Sequence, residues 1–204
     1  MGTILTESAT IITSDESLAK NKKEEEYMNY IKDHINNVYI AFNNLFLSRL
    51  NQFEINSEYF TLDSLYQTIE DLNKGRIQDH DLSKYSEEEF EPYRAKYYPT
   101  EKEISGLTDE AKSLIEKNAD IAWQHHYNTN PHHPNYWIDK ETGNPIDMDL
   151  ISIVEMICDW EAMSMKFGGS TVDWYDTKAD KEKKAMTDRT KNIVEELLNI
   201  LYKK

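Results

Sequence analysis

The sequence predicts an all-α protein, a bundle of about six helices. Apolar residues recur at three- and four-residue spacing along most of the chain, and helix-capping residues stand where those stretches begin. An alternating β-branched pattern shows only weakly near the N-terminus. With 204 residues and 39% apolar content, the chain is long enough for one domain with a sizeable core. The expected organisation is a flexible arm over residues 1–22, rich in Ser and Thr, followed by a single helical domain over 23–204.

From Glu24 onward Tyr27, Ile31, His34, Val38, Phe42 and Leu45 share one face, which predicts a long amphipathic helix to about Leu50 with His34 on its apolar stripe. A second helix is expected over about 62–73, closed near Gly75, with a short element through "IQDHDLSKYS" after it. Ser86 and Glu89 have the capping-box spacing, which would start a helical turn in "SEEEFEPYRAKYY" before Pro99 interrupts. Thr108, Asp109 and Glu110 open the next helix, to about Tyr127, with Ile115, Ala119, Ala122 and His126 on one face. "NTNPHHPNYW" and "DKETGNP" read as one long loop. Asp147 or Asp149 then caps an apolar helix through Phe167, "GG" stops it, and an amphipathic helix fills about 177–202.

Composition narrows the function classes. No apolar run reaches the roughly eighteen residues of a membrane span, and the N-terminus lacks a basic segment followed by an apolar stretch and a cleavage site. The expected setting is therefore cytoplasmic. A net charge of −15 disfavours long nucleic acid, because that binding rests on Lys and Arg neutralising phosphates. A small phosphorylated substrate would need local positive charge, which a bound cation supplies. The single cysteine, Cys158, lies in an apolar run and reads as a small buried hydrophobe, with no internal disulfide. Ile193, Val194, Leu197, Leu198 and Leu201 can pack on this chain or on a second copy, so a homodimer stays open.

Four of the six histidines fall in "WQHHYNTNPHHPNYW". Neighbours on a helix diverge by about 100°, so His125 and His126, and likewise His132 and His133, are each expected to send one imidazole inward. His126 is favoured because it continues the face of Ala119 and Ala122. His34 is either a satisfied core histidine or a ligand. Asp159 sits among Ile153, Val154, Met156, Ile157, Trp160 and Met163, where an ionised carboxylate is costly unless paired or bound to a metal. The alternative places it on an outer face, with which Glu155 one turn earlier is compatible. Imidazole and carboxylate together suit one or two divalent ions of Mn, Fe, Co, Ni or Zn.

The order His34, His80-Asp81, Asp159 resembles the H…HD…D signature of the HD-domain superfamily, with 46 residues from His34 to His80 and 78 from Asp81 to Asp159. "HDLSK" is similar to the HD-x-G/S-K form of that motif. More narrowly, "DHDLSKYSEEEFEPY", "AWQHHYNTNPHHPNYW" and "EMICDWEAMSMKFGG" resemble a family of small bacterial and phage proteins to which no activity is attached. The HD resemblance spans about residues 27–167 and implies an HD-like helical bundle and a metal-dependent phosphohydrolase. It implies that His34, His80, Asp81 and Asp159 hold one ion, and that a second ion takes His126 and one of the loop pair, His133. Asp81, Lys84 and His125 would then be catalytic, His125 as proton donor or support. Lys84 would lie near the substrate phosphate, or else be a surface lysine ahead of a helix. Arg94 or Lys96 would reach the same mouth, and His132, Tyr136 and Trp137 would line it, with the last two stacking on a nucleobase or anchoring the loop. The expected reaction is hydrolysis of a phosphomonoester or phosphodiester of a small nucleotide by a metal-activated water. The alternatives are an HD-type di-iron oxygenase and a non-catalytic nucleotide-binding accessory protein.

Overall fold

The computed structural model describes residues 14–202. Helix α1 (Ser14–Leu45) buries Tyr27, Ile31, His34, Val38, Ala41, Phe42 and Leu45, the stripe its spacing predicts. It starts at Ser14, so residues 14–22 of the expected arm are helical; residues 1–13 lie outside the described residues. Asp15 and Glu16 in its first turn suit the helix dipole, and Lys20 pairs with Glu91 while Glu16 pairs with Lys102, tying this end to the domain. Those partners are distant in sequence, which is why local composition suggested an arm.

Helix α2 (Leu62–Asp71) begins at a Thr61/Ser64 capping box. A π-turn over Leu72–Arg76, with Gly75 at φ 144°, and a 3-10 turn over Leu82–Tyr85 then carry the chain through His80 and Asp81. Helices α3 (Phe90–Tyr97), α4 (Glu101–Ser105) and α5 (Asp109–Thr129) follow, the last capped by Thr108. After the long loop come α6 (Leu150–Phe167), capped by Asp149 and ended at Gly168 with φ 75°, then α7 (Thr171–Lys178), α8 (Asp180–Lys184) and α9 (Asp188–Tyr202).

The all-helical class is as predicted, but the described residues form nine α-helices rather than about six. The excess is in short pieces: α4, α7 and α8 span too few turns to show a period in sequence, and the expected 177–202 helix is broken between α8 and α9. The Ser86/Glu89 box does not form; α3 starts at Phe90 with no side-chain cap. Glu89 is buried instead, against two histidines.

Helix α6 is the centre of the domain. Every residue from Ser152 to Cys158 is buried, as α1, α2, α7 and α9 pack around it. Burial on all sides explains its nearly continuous apolar sequence. The apolar face of α9 (Ile193, Val194, Leu197, Leu198, Leu201) is spent on this same core. Cys158 is fully buried, and burial pushes its thiol up. No helix among the described residues is long and apolar enough to cross a membrane.

Candidate metal centre

Three elements deliver the side chains of one buried cluster: α1, the turn before Leu82, and the end of α5 with the loop beyond it. Helix α6 closes it. His34, His80, Asp81, His126 and His132 are each at most 3% exposed, so none owes its place to solvent. Asp81 stands at φ 58°, the described non-glycine residue with a left-handed backbone. Asp tolerates that region better than most residues, and such strain gathers at functional sites. The reversal lets adjacent His80 and Asp81 both enter the cluster, which a helix would forbid.

The Asp81 carboxylate divides the cluster in two. Its Oδ2 lies 3.2 Å from His34 Nε2 and 3.5 Å from His80 Nε2, and Asp159 Oδ1 lies 3.2 Å from His34 Nε2. Its Oδ1 lies 3.3 Å from both His126 Nε2 and His132 Nε2. Adjacent ligands about 2.0–2.2 Å from one ion stand about 3.0–3.5 Å apart, so these separations match the edges of a coordination shell. Groups able to hold a metal ion are His34, His80 and Asp81; Asp81, His126, His132 and His133; and His80, His132 and Asp159.

The buried atoms His80 Nε2, Asp81 Oδ1, His132 Nε2 and His133 Nε2 have no hydrogen-bond partner. His132 Nε2 and Asp81 Oδ1 are near each other yet not aligned for a hydrogen bond. Lone pairs that converge without pairing are costly in a dry site and are what a cation satisfies. The far nitrogens are fixed. Glu155 on α6 sits 3.0 Å from His80 Nδ1 and 3.3 Å from His132 Nδ1, and accepts from Arg76 Nε at 2.8 Å. Glu89 sits 2.8 Å from His125 Nδ1 and 2.9 Å from His126 Nδ1. A carboxylate on Nδ1 fixes the tautomer that leaves Nε2 free to ligate.

Charge balance follows from burial and neighbours. Burial opposes ionisation of Asp81, but His80 and Lys84 outweigh it and hold the carboxyl well below the usual range. Burial likewise opposes a charged His132, yet Asp81 and Glu155 raise it to about 10, so its Nε2 carries a proton that a bound cation would displace. Burial, with His132 and His126 beside it, keeps His133 well below its ordinary value. Lys84 Nζ is 2.6 Å from Asp81 Oδ2; burial opposes its charge, and Asp81 overcomes that. One side of the cluster opens into a cavity of about 540 Å³, whose wall includes His34, Asp81, Lys84, His126, His133 and Asp159.

The model of a family described as "Family of unknown function (DUF5662)" matches residues 23–200. The chain belongs to the DUF5662 family. The matched span holds every residue of the cluster. No curated protein and no solved structure matches the chain.

In this DUF5662 chain the expected ligands His34, His80, Asp81, His126, His133 and Asp159 do meet, and Lys84 stands beside them in the cavity wall. Several expectations are overturned. His132 does not line the mouth; it lies buried among the donors, between Asp81 and Glu155. Both His132 and His133 point inward, because the chain leaves α5 at Asn130 and helix geometry no longer separates neighbours. His125 faces Glu89 rather than the cavity, which removes it as a proton donor and leaves it a support for the carboxylate that holds His126. Arg94 is 1% exposed and points away, bonded to Glu91, Glu103 and the Tyr98 carbonyl. Lys96 pairs with Glu116. Trp137 packs on the core and donates from Nε1 to the Pro131 carbonyl at 2.7 Å, so it anchors the loop. Tyr136 is exposed outside the cavity wall, against Trp137.

Glu89 and the tyrosine wall of the cavity escaped the sequence reading, and Glu155, compatible there with an outer face, is buried. Glu155 had a usable signal: it precedes Asp159 by four residues on an apolar helix, so the two share a face. Glu89 was hidden by its fit to a capping box.

Proposed function

We propose that this chain is a metal-dependent phosphohydrolase of the HD-domain kind, acting on a phosphomonoester or phosphodiester of a small nucleotide. The observation that carries the reading is the set of converging, unpartnered buried donors shared through one carboxylate, Asp81. His34, His80 and Asp159 would hold one ion with Asp81, and His126, His132 and His133 a second. A divalent ion there supplies Lewis acidity and brings a water it holds toward deprotonation near neutral pH.

The chain's own groups supply the rest. Lys84, half-buried beside Asp81 in the cavity wall, is placed to meet a phosphoryl oxygen and offset its charge. Glu155 and Glu89 hold four imidazoles in one orientation before substrate arrives, so little reorganisation remains. The enclosing aromatic wall limits bulk water around the reacting group.

Metal analysis of the purified protein, followed by phosphate release from a nucleotide panel with Mn²⁺, Co²⁺ or Ni²⁺, tests the reading. The expected result is bound transition metal and turnover abolished by chelator and restored by metal. Metal-free protein with no metal-dependent turnover would overturn it, as would oxygen consumption dependent on iron. Glu155→Gln is expected to weaken metal binding about 10–100-fold, read by competition with a chelating dye. The amide keeps the shape, but since both histidines sit on Oε1 and Arg76 on Oε2, its donor turns either toward the two imidazoles or toward the Arg76 guanidinium. Unchanged affinity would show that Glu155 does not orient them.

A further inference from the structure

The cavity has a second kind of wall that metal binding does not account for. Five tyrosines, Tyr27, Tyr30, Tyr93, Tyr97 and Tyr98, line it together with Trp123 and Phe167. These rings are not simply core. Tyr97 is 61% exposed and Phe167 69%, so the outer rim leaves large aromatic surface open to solvent. Such surface on a folded chain marks a binding site more often than a packing need. Deeper in the wall Tyr93 is buried, and its hydroxyl has no hydrogen-bond partner. A buried hydroxyl is costly when unpaired, and a polar atom of a bound ligand would satisfy it.

The charge of the wall restricts what can enter. Lys84 is the lysine that lines it, and with Asp81 sharing its ammonium at 2.6 Å it can help to offset one phosphate but not a chain of them. Lys166 Nζ lies 3.7 Å over the Tyr30 ring, occupied in a cation–π contact. Against these stand the carboxylates of Asp81 and Asp159. One phosphate can lie at the His/Asp cluster, where bound ions carry positive charge. A second and third would extend among the tyrosines, where burying unpaired negative charge is expensive.

We infer that this cavity selects esters with a single phosphate and a flat aromatic group, and rejects polyphosphates. The aromatic group stacks on the tyrosine wall, while the phosphate lies at the metal cluster beside Lys84. The inference rests on the phosphohydrolase reading for its reaction, but the selectivity is a property of binding and can be measured without turnover.

Inert phosphonates separate the two. On the Mn²⁺-loaded full-length protein, calorimetry is expected to show benzylphosphonate binding at least about tenfold tighter than methylphosphonate, or about 1.4 kcal/mol. Tyr97→Ala and Phe167→Ala, both on the exposed rim, should erase most of that preference while leaving methylphosphonate affinity within about twofold. At matched free Mn²⁺, phosphate release from UMP should exceed that from UTP. Equal affinity for the two phosphonates, a preference that survives both variants, or faster release from UTP would each overturn the inference. If no ester is turned over but the benzylphosphonate preference and its loss in the variants hold, the phosphohydrolase reading fails and the cavity assignment stands.

Discussion

Asp81→Asn is expected to weaken metal binding in both halves of the cluster together and to cut turnover about a thousandfold, roughly 4 kcal/mol of transition-state stabilisation. Oδ2 faces His34 and His80 while Oδ1 faces His126 and His132, so one substitution reaches both halves and leaves the Asp159–His34 contact in place. Asn is the choice because it tolerates the left-handed backbone at φ 58°, where Ala would add strain. Asp159→Asn should differ, weakening the His34 side while sparing the His126 side. Metal content by mass spectrometry and phosphate release under saturating metal would read both. Equal, small losses in the two variants would refute the bridging role of Asp81.

Arg94→Ala is expected to lose about 3 kcal/mol of stability with little change in substrate affinity. The guanidinium makes five hydrogen bonds, to Glu91, Glu103 and the Tyr98 carbonyl, from a position 1% exposed. Truncation removes these bonds and leaves a void in α3. Urea unfolding at pH 7 measures the loss, and KM per folded molecule should shift less than about threefold. A large KM change with unaltered stability would return Arg94 to the substrate mouth. The same contact carries a pH signature. Arg94 lowers Glu103 from 4.5 to about 2, so its contribution is complete above the ordinary carboxylate value and is lost as pH falls through about 2. Glu103 is 36% exposed, so solvent screens the pair and the contribution is small. Glu103→Gln should flatten that part of the acid limb.

How far the site was legible depended on where its signals lay. His34 and Asp159 could be picked out because each interrupts an apolar helical stripe, and a polar group in that position needs a partner. His80-Asp81 could be picked out because the dipeptide falls in order between them. Arg94 misled because a cation near a supposed phosphate site invites a binding role, whereas its carboxylate partners Glu91 and Glu103 are settled by the way α3 and α4 meet. Tyr136 misled because it adjoins His133 while its ring stands outside the cavity wall, whereas Trp137 takes the loop-anchoring role that is its other reading. The tyrosine wall passed unnoticed as one surface, since Tyr27 reads as part of the α1 apolar face and Tyr93, Tyr97 and Tyr98 fall in and just after α3.

Helix class, most caps and the buried faces of α1, α5 and α6 were written in contiguous residues. A 3.6-residue period and an N-cap act within a few turns, so no distant contact is needed to read them. The partition of the site between Asp81 Oδ1 and Oδ2, the inward turn of both His132 and His133, the grip of Glu155 and Glu89 on four histidines, and the tyrosine wall came from the assembled fold. Each depends on side chains tens of residues apart, or on backbone that departs from the helix at Asp81 and after Asn130. Helical periodicity carries no record of either.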